Sequence, residues 1–254
     1  MKKIHIQIIL QSGNQTFRRL SFLLLVLLVS TRPLFAQYSL LSESSTEVGA
    51  ISDSFCRDTL SCGYDHSFSF SQVVAPSLLL ATGSIITAVP TFHTNIDGTI
   101  RDFVQGFDPP RVHIDDYLQY TPLASVAILK ACGLDSEHRW RDLICLTGAS
   151  CLMGFTISTT LKHTCNVQRP DNSNALTSFP SGHTTTAFLG AELLRREYGR
   201  EYPGVAVAGY LFASGIACMR MWNNRHWFSD LLGGAGIAIL STSISYWLAP
   251  KLRF

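Results

Sequence analysis

The chain is short of charge. Only 15% of its 254 residues are Asp, Glu, Lys or Arg, and 20 basic residues against 18 acidic ones leave a net charge of +2. That balance supplies no basic face, so nucleic acid is not an expected partner. With 46% hydrophobic residues the chain is too apolar to stay disordered. Its 18 glycines and 10 prolines follow no triplet period, which excludes a collagen-like structure. There is no internal repeat, no low-complexity tract and no sustained strand alternation. Seven cysteines are an odd number, and no pair has zinc-ligand spacing with a second pair to match, so no metal site is expected. Two classes remain: a helical membrane protein and an apolar exported globule.

The first 36 residues have the form of an export signal. Lys2, Lys3, Arg18 and Arg19 carry the positive charge, Ser21 to Thr31 is an uncharged run of eleven, Pro33 breaks the helix, and Ala36-Gln37 offers a cleavage point. An uncleaved anchor is the alternative, and both place residue 37 outside the cytoplasm. Residues 37–66 are Ser-rich and read as a polar N-terminal arm. Cys56 and Cys62 lie in it, and a disulfide or two free thiols both suit their spacing in an oxidising compartment. Cys132, Cys145, Cys151 and Cys218 lie in or beside apolar runs, where a thiol packs as a small hydrophobe.

Residues 67–254 alternate apolar runs with polar loops. Val73–Val89 is strongly apolar, and Asn95–Asp116 is polar, with turn signals at Asp97-Gly98 and Pro109-Pro110. Tyr117–Leu129 is a short apolar run, and Leu143–Leu161 is uncharged and rich in Gly, Ala, Ser and Thr, as packing faces in membranes are. Thr184–Leu194 opens a helix, and Pro203–Met219 and Leu231–Ala249 follow. The predicted fold is all-α, a helical bundle of about six helices embedded in a membrane, with the active site at the outer end. If the last four runs all span, Lys130, Arg139 and Arg141 share one side with Arg195, Arg196, Arg200, Lys251 and Arg253, and that side is cytoplasmic. Residues 162–183 and 220–230 then share the outer side. With residue 37 also outside, one earlier segment must fail to span, and Tyr117–Leu129 is the shortest.

The two outward loops hold the unusual polar residues of this apolar half. Each piece alone has a plain reading: Lys162 as an anchor, Arg169-Pro170 as a turn, Pro180-Ser181-Gly182-His183 as a cap, His226 and Asp230 as a surface pair. Together, KHTCNVQRP (162–170), PSGH (180–183) and MRMWNNRHWFSD (219–230) resemble the three motifs of the type-2 phosphatidic acid phosphatase superfamily, which also holds class A acid phosphatases and vanadate haloperoxidases. Ten constrained positions match in order, with Met219 in place of the usual Ser.

The chemistry needs these residue types. A phosphoryl group in transfer spreads negative charge over its equatorial oxygens, and Lys162, Arg169 and Arg220 supply fixed cations there. The backbone N–H groups of Ser181 and Gly182, at a helix start, would add donors, and the Ser181 hydroxyl could donate as well. The resemblance implies that His226 is the nucleophile, forming a phosphohistidine, and that Asp230 holds its other ring nitrogen. His183 would protonate the leaving oxygen and then activate water. No metal or other cofactor and no protein partner is implied. The expected substrates are lipid phosphates or diphosphates of the undecaprenyl, lipid A or phosphatidate class, at the outer face of a bacterial inner membrane. The alternatives are a soluble periplasmic acid phosphatase, a vanadate-dependent haloperoxidase and a lipid-headgroup binding module. Elsewhere, Asp115-Asp116-Tyr117 reads as a helix cap rather than a guard of the pocket. His163 and Arg225 read as solvated loop residues, and Trp222 and Trp227 as lining a lipid entrance or anchoring at the interface. His93 and His113 lie in the polar stretch, away from the motifs.

Overall fold

The computed structural model describes residues 71–108, 110–171 and 173–249. All belong to the unit 67–254, the second of two compact units. The expectations for the 1–36 leader, the 37–66 arm, Cys56, Cys62, Lys251 and Arg253 fall outside the described residues.

Among the described residues all regular structure is helical: α1 (Ser71–Ala88), α2 (Pro90–Gln105), α3 (Asp115–Leu118), α4 (Thr121–Ala131), α5 (Trp140–Cys165), α6 (Gly182–Tyr198), α7 (Pro203–Trp222) and α8 (Phe228–Leu248). The expected all-α bundle is present, with eight helices because the polar stretch 95–116 contains part of α2 and the start of α3. The turn expected at Asp97-Gly98 does not form. His93–Gly98 is instead a π-helical turn that buries Asp97. Its carboxylate accepts the Ser229 backbone N–H at 2.9 Å and the Ser229 hydroxyl at 2.6 Å. A buried carboxylate with two donors outweighs the local turn preference of Asp-Gly.

Helix ends follow local chemistry. Pro122 and Pro203 sit in the first turns of α4 and α7, where a missing N–H removes no helical bond. Asn166 closes α5 in the left-handed region at φ 50°. Pro90 opens α2 after a bend of 94° from α1.

The hub is α6, with thirteen of its seventeen residues buried, Glu192 and Glu197 among them. Glu192 accepts hydrogen bonds from Arg195, Arg196 and Tyr210, and Glu197 from His138 and Tyr246. Buried charge survives here because each carboxylate is multiply bonded. Close helix contact comes from small residues: a Cβ on Gly236 of α8 would lie 2.7 Å from the Leu80 nitrogen and the Pro76 oxygen of α1.

Three helices, α5, α7 and α8, are long and apolar enough to cross a membrane, and α1 with α2 meets the test only as a bent pair. α5 buries Leu143, Leu146, Ser150, Gly154 and Ser158 on one stripe and exposes Trp140, Ile144, Leu152 and Phe155 on another. An outward stripe of large apolar side chains suits lipid rather than water. The chain is a helical membrane protein.

The run Tyr117–Leu129, expected as the segment that fails to span, forms a helix not long enough to cross a membrane. Its helix α4 has eleven residues, about 16 Å at 1.5 Å per residue, roughly half a bilayer core. It nonetheless carries the chain from the end where Asp116 meets His183 to the end where Lys130 donates to Ser136 and His138. α1 starts at that same basic end, where Arg196 donates to Gln72 at 3.4 Å. The chain therefore reaches Lys162 after three lengthwise segments, α1, α4 and α5.

Candidate active site

The end of α5, the start of α6, the end of α7 and the start of α8 converge at the end opposite the basic groups. They enclose a cavity of about 360 Å³, lined by Lys162, Arg169, Gly182, His183, Arg220 and His226 from the motifs and by His113, Asp116, Asn223 and Arg225. Residues 64 positions apart in sequence thus face one space because four antiparallel helices end together.

Lys162, in the last turn of α5, donates to the carbonyls of Pro180 at 2.6 Å and Thr177 at 3.2 Å. These bonds aim its ammonium across the loop 166–181. The Arg169 N–H donates to Ala175 O at 3.2 Å, and the Ser178 N–H to Val167 O at 2.9 Å, which folds that loop back on itself. Burial pushes the Arg169 guanidinium below its ordinary pKa, with Asp171 opposing. The Nε atoms of Arg169 and Arg220 are buried without a protein partner. Buried donors left unsatisfied cost about 1–3 kcal/mol each.

Ser181 takes a different place from the one expected. It is fully buried, its hydroxyl caps α6 by accepting from Thr184, and its N–H donates to Asp230 O at 3.0 Å. The N–H expected to face phosphate is committed to Asp230 and the hydroxyl is buried, so the helix start offers Gly182 rather than Ser181 to the cavity. A Cβ on Gly182 would meet only Lys162 Cε at 3.9 Å, so the protein's own packing does not require glycine there.

His226 is 4% exposed. Its Nδ1 lies 3.2 Å from Asp230 Oδ2, which leaves Nε2 as the nitrogen that a substrate can meet. Burial pushes the imidazole down to about 4, with Asp230 opposing and Arg220 and Lys162 adding to the fall. The ring is therefore neutral at pH 7, the state a nucleophile needs. Asp230 Oδ2 also accepts the Ser178 hydroxyl at 2.5 Å and the Trp227 N–H at 2.8 Å. Ser178 stands two residues before PSGH, and nothing in the motif spacing marks it.

The acidic pair before α4 does not cap a helix. Asp115 is buried and accepts from Arg220 Nη1 at 2.5 Å and Asn223 Nδ2 at 3.1 Å. Asp116 Oδ1 lies 2.8 Å from His183 Nε2 and 3.4 Å from Arg220 Nη1. Burial opposes the ionisation of Asp116, but the His183 bond and the charges of His183 and Arg220 hold its carboxyl below the usual range. Ligand atoms of Asp115, Asp116 and His183 lie within 4.8 Å of one another. A cation there would have to displace Arg220, which already neutralises the pair.

Of the outlying residues, His163 is exposed and does not line the cavity. Arg225, read as a solvated loop residue, does line it and pairs with Asp171 at 3.0 Å. Trp227 donates from Nε1 to Gln168 O at 2.8 Å and meets His93 edge-on at 4.7 Å, so it braces the loop 166–181 against α2. Trp222 stacks on Phe107 at 6.3 Å.

The sequence model of the PAP2 superfamily matches residues 142–254, which contain every motif position. Over 237 residues the chain is 33% identical to a lipid A 1-phosphatase of Porphyromonas gingivalis, covering 92% of this chain and 52% of that protein. The chain thus spans about half the length of that curated relative. The crystal structure of the transmembrane PAP2-type phosphatidylglycerolphosphate phosphatase of Bacillus subtilis shares the fold, with TM-score 0.50 and 19% identity over 70% of this chain and 98% of that one. LpxE of Aquifex aeolicus aligns over 59% of this chain and 94% of its own, with 20% identity and TM-score 0.46. The likeness to the PAP2 superfamily thus lies in residues 142–254.

Proposed function

We propose that the protein is a metal-independent phosphatase that hydrolyses a lipid phosphate or diphosphate through a phosphohistidine on His226. The observation that carries this reading is the His226–Asp230 pair. A buried, neutral imidazole with Nδ1 held at 3.2 Å presents Nε2 to a cavity walled by Lys162, Arg169 and Arg220. A module that only bound headgroups would need the cations but not this pair. In the first step Nε2 bonds to phosphorus, the bond from phosphorus to the leaving oxygen breaks, and His183 gives that oxygen a proton. In the second step water loses a proton to His183 and attacks phosphorus, the N–P bond breaks, and inorganic phosphate leaves.

The apolar outer stripe of α5 favours a lipid substrate over a soluble ester. The Porphyromonas gingivalis relative, a lipid A 1-phosphatase, makes lipid A 1-phosphate the first substrate to assay. The basic residues at the other end favour a periplasmic position for the site end.

The test is phosphate release by purified protein in EDTA from lipid A 1-phosphate, an isoprenoid diphosphate and p-nitrophenyl phosphate, with acid-labile phosphoenzyme trapped in parallel. Expected are a preference for a lipid and a phosphoenzyme absent from His226→Gln. Better turnover of the soluble ester would point to a broad acid phosphatase. Full phosphate release by His226→Gln would overturn the mechanism.

A further inference from the structure

The proposed mechanism accounts for Asp230 but not for the second carboxylate that meets a histidine in the cavity. We infer that Asp116 is the positioning residue of His183, holding its Nε2 so that Nδ1 delivers the proton to the leaving oxygen. This rests on the proposed phosphatase reading.

The geometry is that of a second His–Asp pair with the ring reversed. Asp230 takes Nδ1 of His226 and leaves Nε2, whereas Asp116 takes Nε2 of His183 at 2.8 Å and leaves Nδ1. A carboxylate at that distance favours an N–H on Nε2 in the neutral ring and favours the charged ring over the neutral one. Both effects suit an acid that must be protonated when substrate binds and recover its proton from water afterwards. The groups around His183 make such support necessary. Burial and then the Arg220 charge from α7 disfavour a charged imidazole, and Asp116 and Asp115 from α3 oppose them, with Lys162 and Arg169 lining the same cavity and His113 beside Asp116. Asp115 is committed to Arg220 and Asn223. Asp116 is the carboxylate in contact with the ring.

Position is fixed from outside the motifs. Asn223 exchanges two hydrogen bonds with the Val112 backbone, at 2.9 Å and 2.6 Å, which docks the segment before α3 onto the end of α7. The same docking brings Asp115 to Arg220, so α3 aligns an acid and a phosphate-facing cation together.

The test compares two substrates in Asp116→Asn. An alkyl phosphate needs a proton on its leaving oxygen, while p-nitrophenolate departs without one. Expected is a fall of about tenfold or more in kcat/KM for the alkyl ester and less than about threefold for the p-nitrophenyl ester, with the basic limb of the alkyl profile moved to lower pH. Effects on phosphate binding are common to both esters and cancel in the comparison. Equal losses on both esters, or no loss on either, would overturn the inference. Independently of turnover, the His183 ring, assigned by His183→Gln in histidine nitrogen NMR, is expected to titrate lower in Asp116→Asn, and an unmoved titration would also overturn it. A wild-type protein inactive on both esters and on the lipid phosphates would sink the phosphatase reading, while the ring titration would still judge the pair.

Discussion

Replacing Asp230 by asparagine tests the site most sharply, because the structure fixes which way the amide must sit. Oδ2 of Asp230 receives three donors: the Trp227 N–H at 2.8 Å, the Ser178 hydroxyl at 2.5 Å and His226 Nδ1 at 3.2 Å. The backbone N–H cannot rotate away, so in Asp230→Asn the amide oxygen would occupy the Oδ2 position and the amide nitrogen would point elsewhere. The His226 tautomer is then kept, and what is lost is the carboxylate charge facing the imidazolium that forms as Nε2 bonds to phosphorus. A hydrogen bond to a charged group exceeds a neutral one by about 1–1.5 kcal/mol, or about 5- to 13-fold in kcat. A tautomer reversal would cost far more, about 10⁴-fold in comparable triads. The pH profile gives a second, signed readout. The His226 imidazole stands at about 4 in the folded protein, and Asp230 is what raises it against burial. Activity needs the neutral ring, so the acid limb of kcat/KM lies near that value and moves to lower pH in Asp230→Asn. Steady-state phosphate release from pH 3 to 8, with thermal unfolding in detergent as a check on folding, measures both. A loss below about threefold, a loss near 10⁴-fold, or an acid limb that stays in place would each refute the reasoning.

Other outcomes follow from particular contacts. Ser178→Ala removes one buried donor from Asp230 and is expected to cost about 1 kcal/mol, a fall of about fivefold in kcat on a lipid phosphate with little change in KM. Gly190→Ala would place a Cβ 2.3 Å from the Leu123 nitrogen and 2.6 Å from the Pro122 carbonyl carbon, forcing α4 off α6. Its expected destabilisation is about 3 kcal/mol or more in thermal unfolding. Gly215→Ala, where nothing lies within 4 Å, is expected to be neutral or to stabilise by up to about 1 kcal/mol. In a cysteine-free background, Ser173→Cys, beside the cavity loop, should react with an impermeant maleimide added outside the inner membrane, and Asp135→Cys, in the loop between α4 and α5, only after permeabilisation. The opposite pattern would reverse the proposed orientation.

The parts of this protein legible in its sequence are those governed by local spacing. Apolar runs locate α5, α7 and α8, because a helix long enough to cross a membrane must be apolar throughout. The motif positions converge because the chemistry constrains residue type and separation together. What stays hidden depends on contacts between distant segments. Asp116 meets a histidine 67 residues on, and Asp115 an arginine 105 residues on, so neither pairing leaves a periodic trace. Asp97-Gly98 has the local chemistry of a turn, yet Ser229, 132 residues away, supplies the donors that make burial of Asp97 the better solution. Ser181 departs from expectation for a related reason. Its N–H sits at a helix start, where an anion would be favoured, but the Asp230 carbonyl reaches it first.

The two histidines are supported to different degrees, and the difference matches what each is asked to do. The start of α8, which carries Asp230, is held from several directions: Asp97 grips Ser229, Thr87 donates to the Ser229 hydroxyl at 3.0 Å, and Ser178 and Trp227 fix Asp230 itself. In the proposed mechanism His226 would form the same N–P bond whatever alcohol leaves, so a rigid, dry setting would serve every substrate and need no reorganisation at the moment of reaction. The leaving oxygen would differ, because its position depends on the group attached to it. Asp116, whose side chain is 48% exposed, stands on a four-residue helix at the mouth of the cavity. With its carboxylate there, the proton donor can follow a variable leaving group while the nucleophile stays fixed. Mutations that stiffen α3 should therefore narrow the range of accepted alcohols without slowing the hydrolysis of the phosphoenzyme, a step in which no alcohol takes part.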